Sequence, residues 1–93
     1  MITAFVMIQV DAGLIPEAAQ QISELEGVAE VYSIAGGDWD LIGVVRVRRH
    51  EDLADVIPNR LSKVPGVVGT TTHIAFRAFS QHDLEAAFSL GLE

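Results

Sequence analysis

Thirteen acidic side chains against 6 basic ones give this 93-residue chain a formal charge of −7, a surface that repels a phosphate backbone and excludes direct nucleic-acid binding as its main activity. The absence of cysteine excludes disulfides and thiolate metal sites, and the length fits one domain. Yet 49% of the residues are hydrophobic, more than a chain that buries only roughly 60–65% of its unfolded surface hides by itself, so a subunit interface is expected.

The chain opens with MITAFVMIQV. This stretch has no basic n-region or cleavage site and is too short to span a bilayer, so a cytoplasmic protein without a membrane partner is expected. It alternates as a strand over residues 2–10. Ile2, Ala4, Val6, Ile8 and Val10 fall on one face, Thr3, Phe5, Met7 and Gln9 on the other. Asp11, Ala12 and Gly13 form a turn, and Pro16 suits the first turn of a helix. Ile15, Ala18, Ala19, Ile22 and Leu25 make that helix's apolar stripe, with Gly27 as its C-terminal stop.

Residues 28–35 read as a second strand and 39–48 as a third, joined by Gly36 and Gly37. In the third, Trp39, Leu41, Gly43, Val45 and Val47 share a face, with Ile42 and Val44 opposite. The basic run Arg46, Val47, Arg48, Arg49 reads as a solvated strand end. A second helix is expected over about 51–64, with Leu53, Val56, Ile57, Leu61 and Val64 as its stripe. Pro58 inside it predicts a kink or a late start. Pro65 and Gly66 end it. A long fourth strand follows over 67–79, and Ser80 with Asp83 forms a capping box for a C-terminal helix carrying Leu84, Ala87, Phe88 and Leu92.

The order β-α-β-β-α-β contains an internal echo: a helix, then Gly27-Val28 and a strand; a helix, then Gly66-Val67 and a strand. Two such halves give an α+β, ferredoxin-like βαββαβ sandwich, its antiparallel four-stranded sheet covered by two helices on one face, with an added C-terminal helix. Residues 1–93 are a single domain, with a core of 1–79. The uncovered sheet face carries Phe5 and Met7, so dimerisation through the sheets, as in dimeric α+β barrels, is expected.

Three motifs carry a family resemblance. Tyr32-Ser33-Ile34 runs into Gly37-Asp38-Trp39-Asp40-Leu41; Val64-Pro65-Gly66-Val67 follows the second helix; Thr70-Thr71-Thr72-His73-Ile74 lies in strand four. Together, over residues 1–79, they resemble the effector-binding RAM domain of the Lrp/AsnC regulators. The resemblance implies a sheet-packed homodimer, higher homo-oligomers, and a free amino acid or related small metabolite bound near the turn between strands two and three at a dimer–dimer contact. It implies no cofactor. Regulators of the family carry a helix-turn-helix domain, whereas this sequence starts directly on strand one. The expectation is a stand-alone RAM domain that influences a full-length Lrp/AsnC regulator by mixed assembly.

The stretch AGGDWDL at 35–41 fits such a ligand. Gly36 and Gly37 let backbone amides approach an α-carboxylate. Asp38 or Asp40 offers an acceptor to an α-ammonium. Trp39 supplies an apolar or cation–π wall, the backbone through Leu41 completes the loop, and Thr70 and Thr72 present hydroxyls on one strand face. Each residue also has a structural reading: a two-residue hairpin for the glycines, a core anchor for Trp39, a solvated turn for Asp38, a cap on the turn's amides for Asp40, and β propensity for the threonines.

Other readings stay open. An ACT-like module would place its ligand glycine after strand one, at Gly13. A cofactor-free monooxygenase of the dimeric-barrel type would use His73 as general base, while His50 and His82 read as surface residues. A purely structural oligomerisation module needs no ligand. With no catalytic motif in the chain, the reading adopted is not an enzyme.

Overall fold

The computed structural model describes residues 1–80. Four strands, β1 (Ile2–Val10), β2 (Val28–Ser33), β3 (Leu41–Val47) and β4 (Val67–Ile74), form one sheet in the order β2-β3-β1-β4. Every neighbouring pair is antiparallel, so β1 is central although it comes first in the chain. The fold is the expected ferredoxin-like α+β sandwich.

The alternation in β1 decides what each face does. Its even residues Ala4, Val6, Ile8 and Val10 are buried. They meet Ala18 and Ile22 of α1 (Ile15–Ser23) and Leu53, Val56, Ile57, Leu61 and Val64 of the second helical segment in one apolar core. Each fully buried aliphatic side chain contributes roughly 1.5–3 kcal/mol by leaving water. No polar side chain is buried among the described residues.

The register places Phe5 opposite Val44, Met7 opposite Ile42, and Ile42 opposite Tyr32 on the other face. Among the described residues no helix covers that face, and Phe5 and Tyr32 are 42% and 51% exposed.

Several boundaries differ from the sequence expectation. Helix α1 ends at Ser23, with Glu24 as its C-cap, so Gly27 does not stop it. Gly27 instead turns the chain into β2 at φ +96°, and its carbonyl accepts the Arg46 N–H at 2.9 Å. Gly66 does the same before β4, at φ +97°, accepting the Asp11 N–H at 2.9 Å. The internal echo is therefore a repeated structural device: a glycine carbonyl that closes each helix–strand turn onto a neighbouring strand.

The second helical segment starts at His50 rather than late, and its winding changes around Pro58. Helix α2 (His50–Ala54) runs into a π turn, Asp55–Arg60, containing Pro58, and then a 3-10 turn, Leu61–Lys63. Proline has no N–H to donate and its ring crowds the preceding turn, so the chain widens there. The five stripe residues stay buried through this change.

Strand β4 stops at Ile74 rather than at 79. Its partner β1 begins at Ile2, and Ala75 N–H to the Thr3 carbonyl at 2.8 Å is the last bond between them. Of the expected C-terminal helix, only Ser80 lies within the described residues. No helix among them is long and apolar enough to cross a membrane.

Candidate functional site: the β2–β3 loop

The connection between β2 and β3 is wider than a two-residue hairpin. The last strand pair is Ser33 with Leu41, and the Ile34 N–H to Asp40 carbonyl bond at 3.0 Å closes the loop beyond it. Neither Ala35 nor Trp39 and Asp40 belongs to a strand. Gly36 and Gly37 sit at φ +94° and +77°, where a side chain is strained, and a Cβ at either would meet nothing within 4 Å. The demand there is conformational, and the space around both glycines is open.

Asp40 is the fixed point. Its N–H donates to the Ile8 carbonyl at 2.9 Å, its carbonyl accepts from Ile34, and its Oδ2 accepts the Val10 N–H at 2.8 Å. The last bond has a clear cause. β3 leaves the sheet at this level, so Val10 loses its ladder acceptor, and the carboxylate takes the place of the missing carbonyl. The register between β1 and β4 also shifts at Gln9/Val10. Of the two roles open to Asp40, capping is thus occupied by one oxygen. Among the described residues no protein donor meets the other.

Asp38 is exposed, and its carbonyl accepts a bond from Gln9 Nε2 at 3.3 Å. Trp39 is half-buried beside it. The Leu41 side chain is fully buried in the core, which leaves only its backbone to the loop.

Thr70 and Thr72 pair with Ile8 and Val6 and so share the helix-covered face. Gln9, which holds the loop, is on the opposite face. Within one chain the threonines therefore stand apart from the loop's Gln9–Asp38 contact. Sequence reasoning missed Gln9 and Val10. Gln9 carried a signal, a polar residue ending the apolar odd series Phe5 and Met7, whereas Val10 contributes only its backbone.

Two concave regions of about 350 and 330 Å³ occur among the described residues, and neither is lined by the 36–41 loop. His73 pairs with Phe5 on the uncovered face, is exposed, and has no orienting hydrogen bond among the described residues. Gly13 is free of the positive φ found at Gly27, Gly36, Gly37 and Gly66.

Asp40 gives a testable separation. Removing its carboxylate leaves the Val10 N–H without its charge-assisted acceptor, while Asn retains a neutral one. Asp40→Ala is expected to lower unfolding free energy by about 1–2 kcal/mol, because the site is only partly buried, and Asp40→Asn by about half that or less. Urea melts read both. Equal losses would mean that the charge, rather than the bond to Val10, holds the turn.

This arrangement has known counterparts. The family model "Lrp/AsnC ligand binding domain" matches residues 3–84. A Pyrococcus horikoshii protein described as an uncharacterized HTH-type transcriptional regulator is 38% identical over 77 residues, which cover 80% of this chain and 51% of that one. The chain spans about half the length of the curated relatives it matches. A crystal structure of a Thermus thermophilus protein is 41% identical with a TM-score of 0.80, covering 87% of this chain and 100% of that one. A feast or famine regulatory protein of M. tuberculosis, complexed with L-methionine, is 27% identical with a TM-score of 0.72, covering 87% and 54% of the two chains. The motifs at 37–41, 64–67 and 70–74 thus sit on the fold they implied, and the chain belongs to the Lrp/AsnC ligand-binding-domain family.

Proposed function

We propose that this domain binds a free amino acid at the loop around Gly36–Leu41, in a site completed by a further copy of the chain, and acts as a sensing and assembly module. The observation that carries this reading is Asp40: three hydrogen bonds hold it at the mouth of a two-glycine loop, with one carboxylate oxygen unused among the described residues. That oxygen suits an α-ammonium, and the open glycine amides suit an α-carboxylate. The methionine complex of the M. tuberculosis relative supports the ligand class. The openness of the loop in a single chain is consistent with a wall supplied by another copy. Influence on a full-length regulator of the family, in the cytoplasm, belongs to the same reading.

A thermal-shift screen of the twenty amino acids at millimolar concentration tests it. A ligand at about 100 times its Kd stabilises by roughly 2.7 kcal/mol, a visible shift in a domain of this size. Asp40→Asn, which preserves the turn, is expected to weaken the responding amino acid by about tenfold or more through loss of the charged acceptor. A flat screen leaves the loop as a connection only.

Assembly is expected through the uncovered sheet face. Phe5→Glu places a charge in the middle of that face, where association would have to desolvate it. The variant is expected to sediment as a folded monomer at concentrations where the wild type is a dimer. A dimer that survives this change would place the interface elsewhere.

A further inference from the structure

The larger concave region, about 350 Å³, lies at the other end of the sheet from the 36–41 loop, where Arg46 and Val47 pair with Thr3 and Ile2. Its volume is in the range of small-molecule sites. The floor is apolar: Val47 and Val56 are 7% and 4% exposed. Gly27 brings the backbone close to that floor, since a Cβ there would stand 2.8 Å from Val56 Cγ2 and 3.4 Å from Val47 Cγ1.

The rim is charged, and its charges are unequally satisfied. The π turn brings Asp55 alongside Arg60, five residues on, and the two form an ion pair at 2.9 Å. Arg46 reaches Glu30 and Asp52 reaches Arg49, each at 3.5 Å. That leaves Glu26, in the turn after α1, and Arg48, just past β3. Both line the cleft, and neither side chain has a hydrogen-bond or ion-pair partner among the described residues. In a chain with only 6 basic residues, Arg46, Arg48 and Arg60 gather at this one cleft, against Glu26, Asp52 and Asp55. Met1 also lines the cleft, and the side-chain charges balance, three against three, so these side chains favour neither a simple anion nor a simple cation. One open guanidinium and one open carboxylate over an apolar floor fit a molecule carrying both charges.

We propose that this cleft is a second ligand site, for a small zwitterion of the amino-acid class with a short apolar side chain. Arg48 takes the carboxylate through its planar fork of donors, Glu26 accepts the ammonium, and the side chain lies over Val47 and Val56. The site is independent of the loop at 36–41.

The test is a titration followed by amide ¹H–¹⁵N spectra, with L-alanine as the probe and acetate and methylammonium as its two half-molecules. L-Alanine is expected to move the Gly27, Val47, Arg48 and Val56 resonances at millimolar concentration, with far smaller shifts from either half-molecule. Arg48→Ala and Glu26→Gln are each expected to weaken the response by about tenfold or more, while the melting temperature stays put because both residues are exposed. Acetate alone matching L-alanine, no movement of these four amides, or a response unchanged in both variants would each overturn the proposal. Shifts at 36–41 are read in the same spectra, so failure of one site is distinguishable from failure of the other.

Discussion

Leu61→Ala is expected to lower the unfolding free energy by about 3–5 kcal/mol, the upper part of the range for a buried Leu→Ala change, out of a total of about 5–15 kcal/mol for a small domain. The reason lies beneath the side chain. Leu61 is fully buried, and its Cδ1 stands 3.9 Å from where a Cβ of Gly43 would be, with Ile8 Cδ1 at 3.5 Å from the same point. β3 offers no side chain at position 43, so nothing on that strand can move in to fill the space that Leu61 leaves. Denaturant melts measure the loss. The same geometry predicts partial rescue by Gly43→Ala in the Leu61→Ala background, since an added Cβ makes ordinary contacts there and removes an interior strand glycine. A Leu61→Ala cost below about 1 kcal/mol would show that the region collapses freely.

Gly66→Ala is expected to cost about 2–4 kcal/mol through two separable effects. A residue other than glycine at φ +97° is strained, by about 1–2 kcal/mol. The new Cβ would also lie 2.9 Å from Leu14 Cβ and 3.2 Å from Leu14 Cδ1, and overpacking of this kind costs about 1–3 kcal/mol. Gly37→Ala is the control. It has φ +77° and no atom within 4 Å of the added Cβ, so only the conformational effect applies. Equal losses for the two variants would mean that Leu14 gives way and that the close approach of Gly66 to it is not tightly set.

The residues that announce themselves in the sequence are those whose role is fixed by local pattern. The alternation of β1 and the helical stripes Ile15–Leu25 and Leu53–Val64 correctly identify the core-facing side chains, with Ile2, Ile15, Ala19 and Leu25 only partly buried at its margin, because periodicity determines which residues share a face. Strand ends are different. β3 begins at Leu41 because Asp40 turns its carboxylate to Val10, and β4 stops at Ile74, opposite Ala4 near the start of β1. Neither partner is visible from the segment that ends. Pro58 signalled a disturbance, but whether it kinks a helix or widens a turn depends on what packs around it. At the site, Gly36 and Gly37 were legible because a tight reversal needs positive φ. Val10 was not, and Gln9 showed only as a polar residue ending an apolar series, since their bonds to the loop span 30 and 29 positions in the chain. That Thr70 and Thr72 share a face followed from their spacing, but which face depends on pairing with β1. The Glu26–Arg48 cleft gathers charges from 26 to 60, each of which reads alone as an ordinary surface residue.

The place of β1 at the centre of the sheet has a consequence for synthesis. It is the first of these four strands to leave the ribosome, yet one of its neighbours, β4, is made last of the four. Until residues 67–74 emerge, a nascent chain that has paired β1 with β3 holds its most apolar strand with one edge bare, a template for another nascent copy. Threonines at 70–72, soluble yet strong strand formers, then let the closing strand remain in water until it docks. Completion of the sheet is thus timed by the last of its four strands, and translation that stalls before residue 67 leaves an intermediate prone to pair with its own kind.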